Sequence, residues 1–369
     1  MASLPKLSIR LLKDEDEQKL LDLLRKFIPS WSNRSYKHWL WQYKNNPFGH
    51  YTVVASYGGQ IVGAHPTTSF RVKIGNLVVN CSQPTDAIVD PRFRRRGIFF
   101  SMLKFFGEIA RRKNIEMRYG FPDKPARVGA LKSGFFDICK VPVLVKILNT
   151  RNAVSLLSLR WKTHILTNKI FKNIANYLFI LFATLRWSPS IFRKAKSNQR
   201  IWGIKIEQIK FFDKRFDIFW KKVSNDYQIL VVRDTKYLNW RFFEKPDGKY
   251  EVFSAEMDQQ ILGYIVLASM SRDVYKVGYI VDLLVPLNEP RLTQKLLLAA
   301  LDYFKRENVD SVICLMSKYC PSFKVLKSYG FFQAKSVILV GQLYTSRVSV
   351  KFVRNCENWY ITMGDSDFI

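Results

Sequence analysis

The pattern of apolar and polar residues predicts mixed helices and strands along the chain. Leu7–Leu12 has the alternation of a strand, and the spacing of apolar residues predicts an amphipathic helix over Asp14–Phe27 and a shorter helix over Tyr36–Lys44. Gly58-Gly59 is a dipeptide that suits the tight turn between antiparallel strands, so a hairpin is expected around it. The predicted hairpin strands are Tyr51–Tyr57 and Ile61–Ser69.

Alternating strands and helices continue to about residue 148. Met102, Phe105, Phe106 and Ile109 recur with helical spacing, which predicts a helix over Ile98–Lys113. The remaining predicted elements are a short helix that ends at Lys132 and the strands Val72–Asn80, Asp86–Val89, Met117–Phe121 and Phe136–Leu148. This order indicates an α/β fold around one twisted, mixed sheet.

The two halves of the chain share landmarks at a nearly constant offset. Trp41, Pro47, Gly49, Tyr51 and Gly63 are matched by Trp240, Pro246, Gly248, Tyr250 and Gly263. Further along, Gly134-Phe135 is matched by Gly330-Phe331. An offset that persists over such distances predicts two copies of one fold. We expect a first domain at 1–148, an insertion at 149–199 and a second domain at 200–369.

Composition supports two globular domains. The chain has 369 residues, 48% of them hydrophobic, which suits two domains of roughly 150 residues or more. The N-terminus becomes acidic before an apolar run develops, so it does not resemble a signal peptide. The five cysteines form no CxxC pair and no metal-ligand spacing. We therefore expect reduced thiols, no metal site and a cytoplasmic location.

Positive charge is concentrated near the insertion. The chain has 59 Lys and Arg against 30 Asp and Glu, and residues 138–206 contain no acidic residue. Such a field attracts lipid head groups, nucleic acid or phosphorylated substrates, and it does not discriminate among them. The longest uncharged run, Asn173–Leu185, is shorter than the ~20 residues that a spanning helix needs. The insertion is thus either a helical hairpin on an anionic membrane surface or a helical pair packed on the protein.

One loop has the features of a phosphate site. The predicted strand that ends at Val89 leads into Asp90-Pro91-Arg92-Phe93-Arg94-Arg95-Arg96-Gly97, and a helix follows at about Ile98. The first turn of a helix offers unpaired N–H donors and the positive end of the helix dipole. Gly97 allows close approach of the backbone, and the arginines add positive charge. The loop is therefore predicted to hold a pyrophosphate.

The same residues resemble motif A of the GNAT acetyltransferases, whose R/Q-x-x-G-x-G/A loop cradles the diphosphate of acetyl-CoA. Arg94 and Gly97 occupy its leading positions, and Phe99 stands where Gly or Ala is usual, as in a subset that reads R-x-R-G-I-F. The resemblance implies acetyl-CoA, or another acyl-CoA, as cofactor. The implied cofactor-binding residues are Ile88, Val89, Arg94, Arg95, Arg96, Gly97, Ile98 and Phe99.

The second copy departs from this motif. Pro286–Leu292 replaces the loop, and it has no glycine and gains Glu289. A carboxylate in place of arginines repels a diphosphate, so the second copy is expected to bind no CoA. The resemblance is therefore to tandem members of the superfamily with a degenerate second domain.

The resemblance leaves the acid unassigned and suggests several bases. The tyrosine that usually faces the thiolate is replaced by Ala130. Candidate bases are Asp86 at the start of the motif strand, Asp123 after the next strand, and Asp365 in a C-terminal tail of the kind that reaches the active site in some relatives. Asp367 and the terminal carboxylate are alternatives in the same tail. Loop or cap roles are the competing explanation, and the dispersed histidines are not selected.

Three functions fit the sequence. The first is an acetyl-CoA-dependent acyltransferase acting on an amine or hydroxyl of a small or sugar-like acceptor, such as a lipid-linked intermediate, with the enzyme peripheral on the inner face of the membrane. The second is a peptidoglycan-type transferase that depends on aminoacyl-tRNA. The third is a non-catalytic polyanion-binding or membrane-binding protein on the same scaffold.

Overall fold

The computed structural model describes residues 7–149, 203–272 and 275–367. The predicted insertion, apart from Asn149, lies outside these ranges, and with it the predicted membrane-surface hairpin. Within them, no helix is both long enough and apolar enough to cross a bilayer.

The first half alternates strands and helices as predicted. Its strands are β1 (Ser8–Leu11), β2 (His50–Tyr57), β3 (Gln60–Ile74), β4 (Leu77–Pro84), β5 (Ile88–Val89), β6 (Met117–Gly120) and β7 (Phe136–Ile147). Its helices are α1 (Glu17–Phe27), α2 (Tyr36–Trp39), α3 (Ile98–Arg112) and α4 (Lys124–Lys132), and a π-helical turn, Leu40–Lys44, continues α2.

The second half repeats this plan. Its strands are β8 (Lys205–Ile209), β9 (Ile229–Val231), β10 (Tyr250–Met257), β11 (Gln260–Arg272), β12 (Tyr275–Leu284), β13 (Ser311–Leu315) and β14 (Phe332–Leu343). Its helices are α5 (Arg215–Val223), α6 (Thr235–Leu238), α7 (Pro290–Arg306), α8 (Pro321–Ser328) and α9 (Val350–Arg354), and a π-helical turn, Asn239–Phe243, follows α6. The α/β class is confirmed.

One predicted strand, Val72–Asn80, is wrong. Its first residues complete β3, the chain turns at Gly75, and its last residues belong to β4. Gly75 has φ of 58°, a conformation that favours glycine, and its N–H donates to the carbonyl of Gln228. The far end of β3 is extended because it pairs with β9 of the second half. Local alternation could not reveal this long-range partner.

The two halves exchange their last strands within one 14-stranded sheet of the described residues. The strand order is β1-β2-β3-β4-β6-β14-β7-β13-β12-β11-β10-β8. β14 therefore pairs with β6 of the first half, whereas β7 pairs with β13 of the second half. We call β1–β6 with α1–α4 the N-lobe, and β8 and β10–β13 with α5–α9 the C-lobe. The division at 148 and 199 stays a prediction, because the exchanged strands cross it.

A pair of equivalent tryptophans lies between the lobes. The rings of Trp41 and Trp240 stack with centroids 5.4 Å apart. Trp41 Nε1 donates to the carbonyl oxygen of Trp240 at 2.6 Å, and Trp240 Nε1 donates to that of Trp41 at 3.0 Å. The contact is thus reciprocal between two positions matched in the repeat, as expected for two copies related by an approximate twofold axis.

Candidate active site

A V-shaped gap opens in the sheet of the N-lobe. β4 and β6 pair in parallel only at Cys81↔Met117 and Ser82↔Arg118, and beyond these residues the strands separate. A cleft of about 440 Å³ lies in the gap, with Thr85 on one wall and Gly120 on the other. The sheet therefore offers a slot for an extended ligand.

A β-bulge shapes one wall of the cleft. Thr85 N–H donates to the carbonyl of Pro66, whereas Ile88 pairs with Ala64, so the wall strand has one residue more than β3 over this stretch. The extra residue is at Asp86, whose φ is 49°. Past the bulge, Asp90 N–H again bonds to β3. Because backbone directions alternate along a strand, the N–H of Val89 faces away from β3. Asp86 and Ala87 line the cleft, whereas Ile88 and Val89 do not.

The loop after β5 presents its backbone to solvent. Arg95 and Gly97 both have positive φ, 61° and 75°, and residues 94–97 are exposed. Among the described residues, the backbone N–H groups of Arg95, Arg96 and Gly97 have no hydrogen-bond acceptor. The Asp90 carboxylate binds the backbone and guanidinium of Arg92, which fixes the start of the loop. The loop is thus held at its base and open at its tip.

The remaining residues of the predicted cofactor set support this loop. Arg94 Nε donates to the carbonyl of Val89 at 3.1 Å. Ile98 is buried and packs against Gly63 of β3. The ring of Phe99 abuts Gly129 of α4, where an added Cβ would lie 2.6 Å from it. The larger residue at position 99 therefore fits because α4 has a glycine opposite it.

The structure gives the three predicted bases different surroundings. Asp86 lines the cleft, with Tyr43 Oη donating to it at 3.2 Å and the Arg34 guanidinium 3.6 Å away. Burial raises the pKa of Asp86, and Arg34 opposes this rise. Asp123 also lines the cleft, but its carboxylate is exposed and caps α4 by accepting from Ala126 N–H at 2.9 Å.

Asp365 lies in a buried ion-pair network outside the cleft. Arg233 Nη2 is 2.9 Å from Asp365 Oδ1, and Arg233 Nε is 2.9 Å from Asp282 Oδ2. The backbone carbonyl of Asp365 accepts hydrogen bonds from Gln83 and Tyr119 of the N-lobe. The Asp365 carboxylate is therefore committed to Arg233, and the residue anchors the tail across both lobes.

Asp367 follows this anchor and lies at the mouth of the cleft. It lines the cleft together with Asp86 and Arg34. Burial of the carboxyl group, and then the charge of Asp86, raise the pKa of Asp367 to about 6, although the residue as a whole is exposed to solvent. Asp86 and Asp367 are thus brought together. The roles of Arg34 and Tyr43 were not predicted, because no local motif marks them.

The corresponding gap of the C-lobe is filled by residues 359–367, which we call the C-terminal tail. β12 and β13 pair from Val277↔Ser311 to Ile280↔Cys314, as β4 and β6 do before they separate. Beyond these pairs, Thr362 bridges to Met316, and Ser317 N–H donates to Ile361 O at 3.1 Å. The tail then passes β12 so closely that a Cβ on Gly364 would lie 3.4 Å from Val281 O.

The comparisons with known proteins agree with this geometry. Residues 8–130 match the family model described as an acetyltransferase (GNAT) domain. Among curated proteins, no sequence is significantly similar to the chain.

Solved structures with similar folds cover both lobes. A GCN5-related N-acetyltransferase from Anabaena variabilis ATCC 29413 has a TM-score of 0.63 at 11% identity, covering 92% of this chain and 73% of that one. A probable N-acyltransferase from Enterococcus faecalis V583 has a TM-score of 0.59 at 11% identity, with the same coverage of 92% and 73%. A tandem GNAT protein from the clavulanic acid biosynthesis pathway has a TM-score of 0.54 at 14% identity, covering 92% and 98%.

Proposed function

Because the chain carries a GNAT acetyltransferase domain within the fold of a tandem GNAT protein, we propose that it is an acyl-CoA-dependent acyltransferase with one cofactor site, in the N-lobe. The observation that carries this proposal is the open gap between β4 and β6, which is lined by Phe99 in the first turn of α3, directly after the arginine-rich loop. The C-lobe gap is filled by the tail, which supports a degenerate second copy.

The residues at the gap fit an acyl-CoA. The diphosphate would bind at the start of α3. It would accept hydrogen bonds from the exposed backbone N–H groups of Arg95, Arg96 and Gly97 and from the guanidinium groups of Arg95 and Arg96. The cleft between Thr85 and Gly120 would hold the pantetheine arm. The N–H of Val89 would donate to the thioester carbonyl, where negative charge develops during attack. The cofactor supplies an acyl group activated as a thioester.

The acceptor must lose a proton when its nitrogen or oxygen attacks the thioester. Asp86 and Asp367 are the carboxylates at the cleft that are not committed as a helix cap or to the Arg233 ion pair. Arg34 opposes the rise that burial causes in the pKa of Asp86, and the pKa of Asp367, raised to about 6, suits a group that takes up a proton. We therefore propose that Asp367 accepts the proton and that Asp86 and Arg34 orient the carboxylate of Asp367.

The acceptor would enter between the lobes. A second cavity shares Arg34, Thr85, Asp86 and Asp367 with the cofactor cleft and extends to Trp41. Aromatic and amide side chains on its walls, including those of Gln42 and Tyr237, suit a small or sugar-like amine or hydroxyl compound. Activity near an anionic membrane, through the basic segment at 149–199, remains part of this proposal.

The experiment is a free-thiol release assay with acetyl-CoA across amino sugars, polyamines and peptides. We expect thiol release that depends on one acceptor class. Replacing both Arg95 and Arg96 by Ala should raise KM for acetyl-CoA by roughly tenfold or more, since two diphosphate contacts are lost. Arg112→Ala, at the other end of α3, is the matched control and should leave KM unchanged. Acceptor-dependent turnover only with charged tRNA, or none with any donor, would contradict the proposal.

A further inference from the structure

Behind the cleft between β4 and β6 lies a buried arginine, Arg118, that forms no ion pair with a described carboxylate. Arg118 is 0% exposed and belongs to the last pair before β4 and β6 separate. Its Nη2 lies 2.5 Å from His65 Nε2, while its Nε and Nη1 have no hydrogen-bond partner within the part of the chain that the structure describes. Among the described residues, no carboxylate is within ion-pair distance of it. Burial lowers the pKa of Arg118, and the nearby phenol of Tyr344, followed by Cys81, opposes this fall.

A buried, unpaired guanidinium is costly and calls for an explanation. The rings of Phe106 and Phe135 recover part of the cost, because their centroids lie 4.1 and 4.9 Å from the guanidinium carbon. Aromatic rings do not supply a full negative charge. The site is therefore suited to an anion that arrives from outside the chain.

His65 connects this arginine to the cleft. The imidazole lines the cleft beside Phe99, while Arg118 lies behind it. Since Arg118 donates to Nε2, the imidazole proton is on Nδ1, for which residues 7–149, 203–272 and 275–367 offer no hydrogen-bond partner. Burial, and then Arg118, hold the pKa of His65 well below its ordinary value, so the ring stays neutral. The pair thus presents one fixed positive charge toward the cleft.

The cleft lacks the usual proton donor at this point. Ala130, which occupies the position of the thiolate-facing tyrosine in related enzymes, lines the cleft together with Phe135 and Leu103. These side chains are apolar and would exclude water from a leaving sulfur bound there. A thiolate formed there would need charge compensation, and Arg118 is the buried cation on that side.

We propose that the Arg118–His65 pair stabilises the thiolate of CoA as it leaves. The inference rests on the proposed function, since it assumes an acyl-CoA in the cleft. The acceptor forms its bond to the acyl carbon, the C–S bond breaks with its electron pair going to sulfur, and the acceptor proton goes to Asp367. Sulfur therefore departs as an anion and needs no acid in that step. Arg118 acts through His65 as a positioning and electrostatic residue.

Other charged groups also face the sulfur and must be considered. Asp123 on α4, and Asp86 and Asp367 on the acceptor side, would each raise the thiol pKa, whereas Arg34 would lower it. Asp86 and Arg34 form an ion pair and largely cancel. The arginines of the loop after β5 do not line the cleft. The positive field of Arg118 is therefore the main term expected to lower the thiol pKa.

The test is to titrate the thiol of CoA bound to the full chain, following the ultraviolet absorbance of the thiolate. We expect a thiol pKa at least about one unit below the ordinary value of ~8.5 for a thiol. Arg118→Met keeps the apolar packing and should return the pKa to that value while lowering kcat more than it changes KM. Arg118→Lys should restore much of the shift. Lys146→Met removes a buried cation on β7 and is the matched control, with no expected change.

The outcomes separate the two proposals. Failure to bind CoA would overturn the proposed function itself. Binding of CoA with an ordinary thiol pKa would overturn only the role of Arg118 and His65. A third outcome would also overturn the role of Arg118 and His65. The protein would prefer an acyl-CoA whose acyl group carries a carboxylate, and Arg118→Met would lose this preference without changing the thiol pKa. Arg118 would then bind the carboxylate of the acyl group and not stabilise the thiolate. If Arg118→Met does not fold, Arg118→Gln provides the same comparison, because it also removes the positive charge, and it should raise the thiol pKa.

Discussion

At the scale of single residues, surroundings rather than sequence position distinguish the acidic candidates. Asp123 is occupied as a helix cap and Asp365 as an ion-pair partner of Arg233. Asp86 and Asp367 share the cleft, and the pKa of Asp367 is raised to about 6. A carboxylate accepts a proton only when it is ionised, so a base of this pKa becomes active as the pH rises through about 6.

The first prediction concerns Asp367. Asp367→Asn should lower kcat by roughly 10²-fold or more, because the amide cannot accept the proton, and the rise of rate near pH 6 should disappear. The measurement is the pH profile of acceptor-dependent thiol release. A variant that keeps both the rate and the profile would exclude Asp367 as the base.

The second prediction concerns the competing candidate Asp123. Asp123→Asn should leave the pH profile in place, because the carboxylate accepts a backbone N–H at the start of α4, a role that Asn also fills. Asp123→Ala should cost about 1 kcal/mol of the free energy of unfolding through loss of the cap. Urea denaturation and the thiol-release profile check the two effects. Loss of the rise near pH 6 in Asp123→Asn would transfer the base role to this residue.

At the scale of elements, the C-terminal tail joins the two lobes. It fills the gap between β12 and β13, and its residue Asp365 contacts β4 and β6 through its backbone carbonyl. Arg233 holds the tail by pairing with both Asp282 and Asp365 inside the protein. The position of Asp367 therefore depends on a buried ion-pair network of the C-lobe.

The third prediction follows from this network. Arg233→Met leaves two buried carboxylates without their cation and should cost about 3–5 kcal/mol of the free energy of unfolding. It should also reduce kcat, since Asp367 loses its anchor. Arg215→Met is the control, because Arg215 forms partly exposed ion pairs with Asp213 and Glu256 that should contribute at most ~1 kcal/mol. Urea denaturation measures both variants, and equal losses would contradict the role given to Arg233.

Local sequence patterns predict some of these elements and contacts and do not predict others. The spacing of apolar residues placed the helix now seen at Ile98–Arg112 to within one residue at its end, since a long amphipathic helix carries its own periodic signal. The Gly58-Gly59 hairpin was found for a similar local reason. The bulge at Asp86, the contact of Arg34 with it and the Arg118–His65 pair were not found, because each depends on residues distant in sequence.

At the scale of the whole molecule, the repeat was predicted and the strand exchange was not. Matched landmarks revealed two copies, but β7 and β14 have the same alternation whichever lobe they join. In the structure, β14 lies between β6 and β7, and β7 lies beside β13. Each lobe therefore completes its sheet with a strand from the other half of the sequence.

The fourth prediction is cooperative unfolding. Because the exchanged strands and the tail link the lobes, the described parts of the chain should unfold in urea in one transition, with coincident curves by far-ultraviolet circular dichroism and tryptophan fluorescence. Trp31 and Trp39 report on the N-lobe, and Trp220 reports on the C-lobe. Two separate transitions would show that the lobes are independent despite the exchange.

The most direct test of the single-site account is a calorimetric titration of the chain with CoA. We expect one CoA per chain. Gly97→Glu should abolish this binding, because it adds negative charge and a side chain at a φ of 75° in the phosphate loop. Gly59→Glu makes the same change at an equal φ of 75° in the β2–β3 turn and should leave binding intact. Two sites per chain, no binding, or equal effects of the two substitutions would contradict the account.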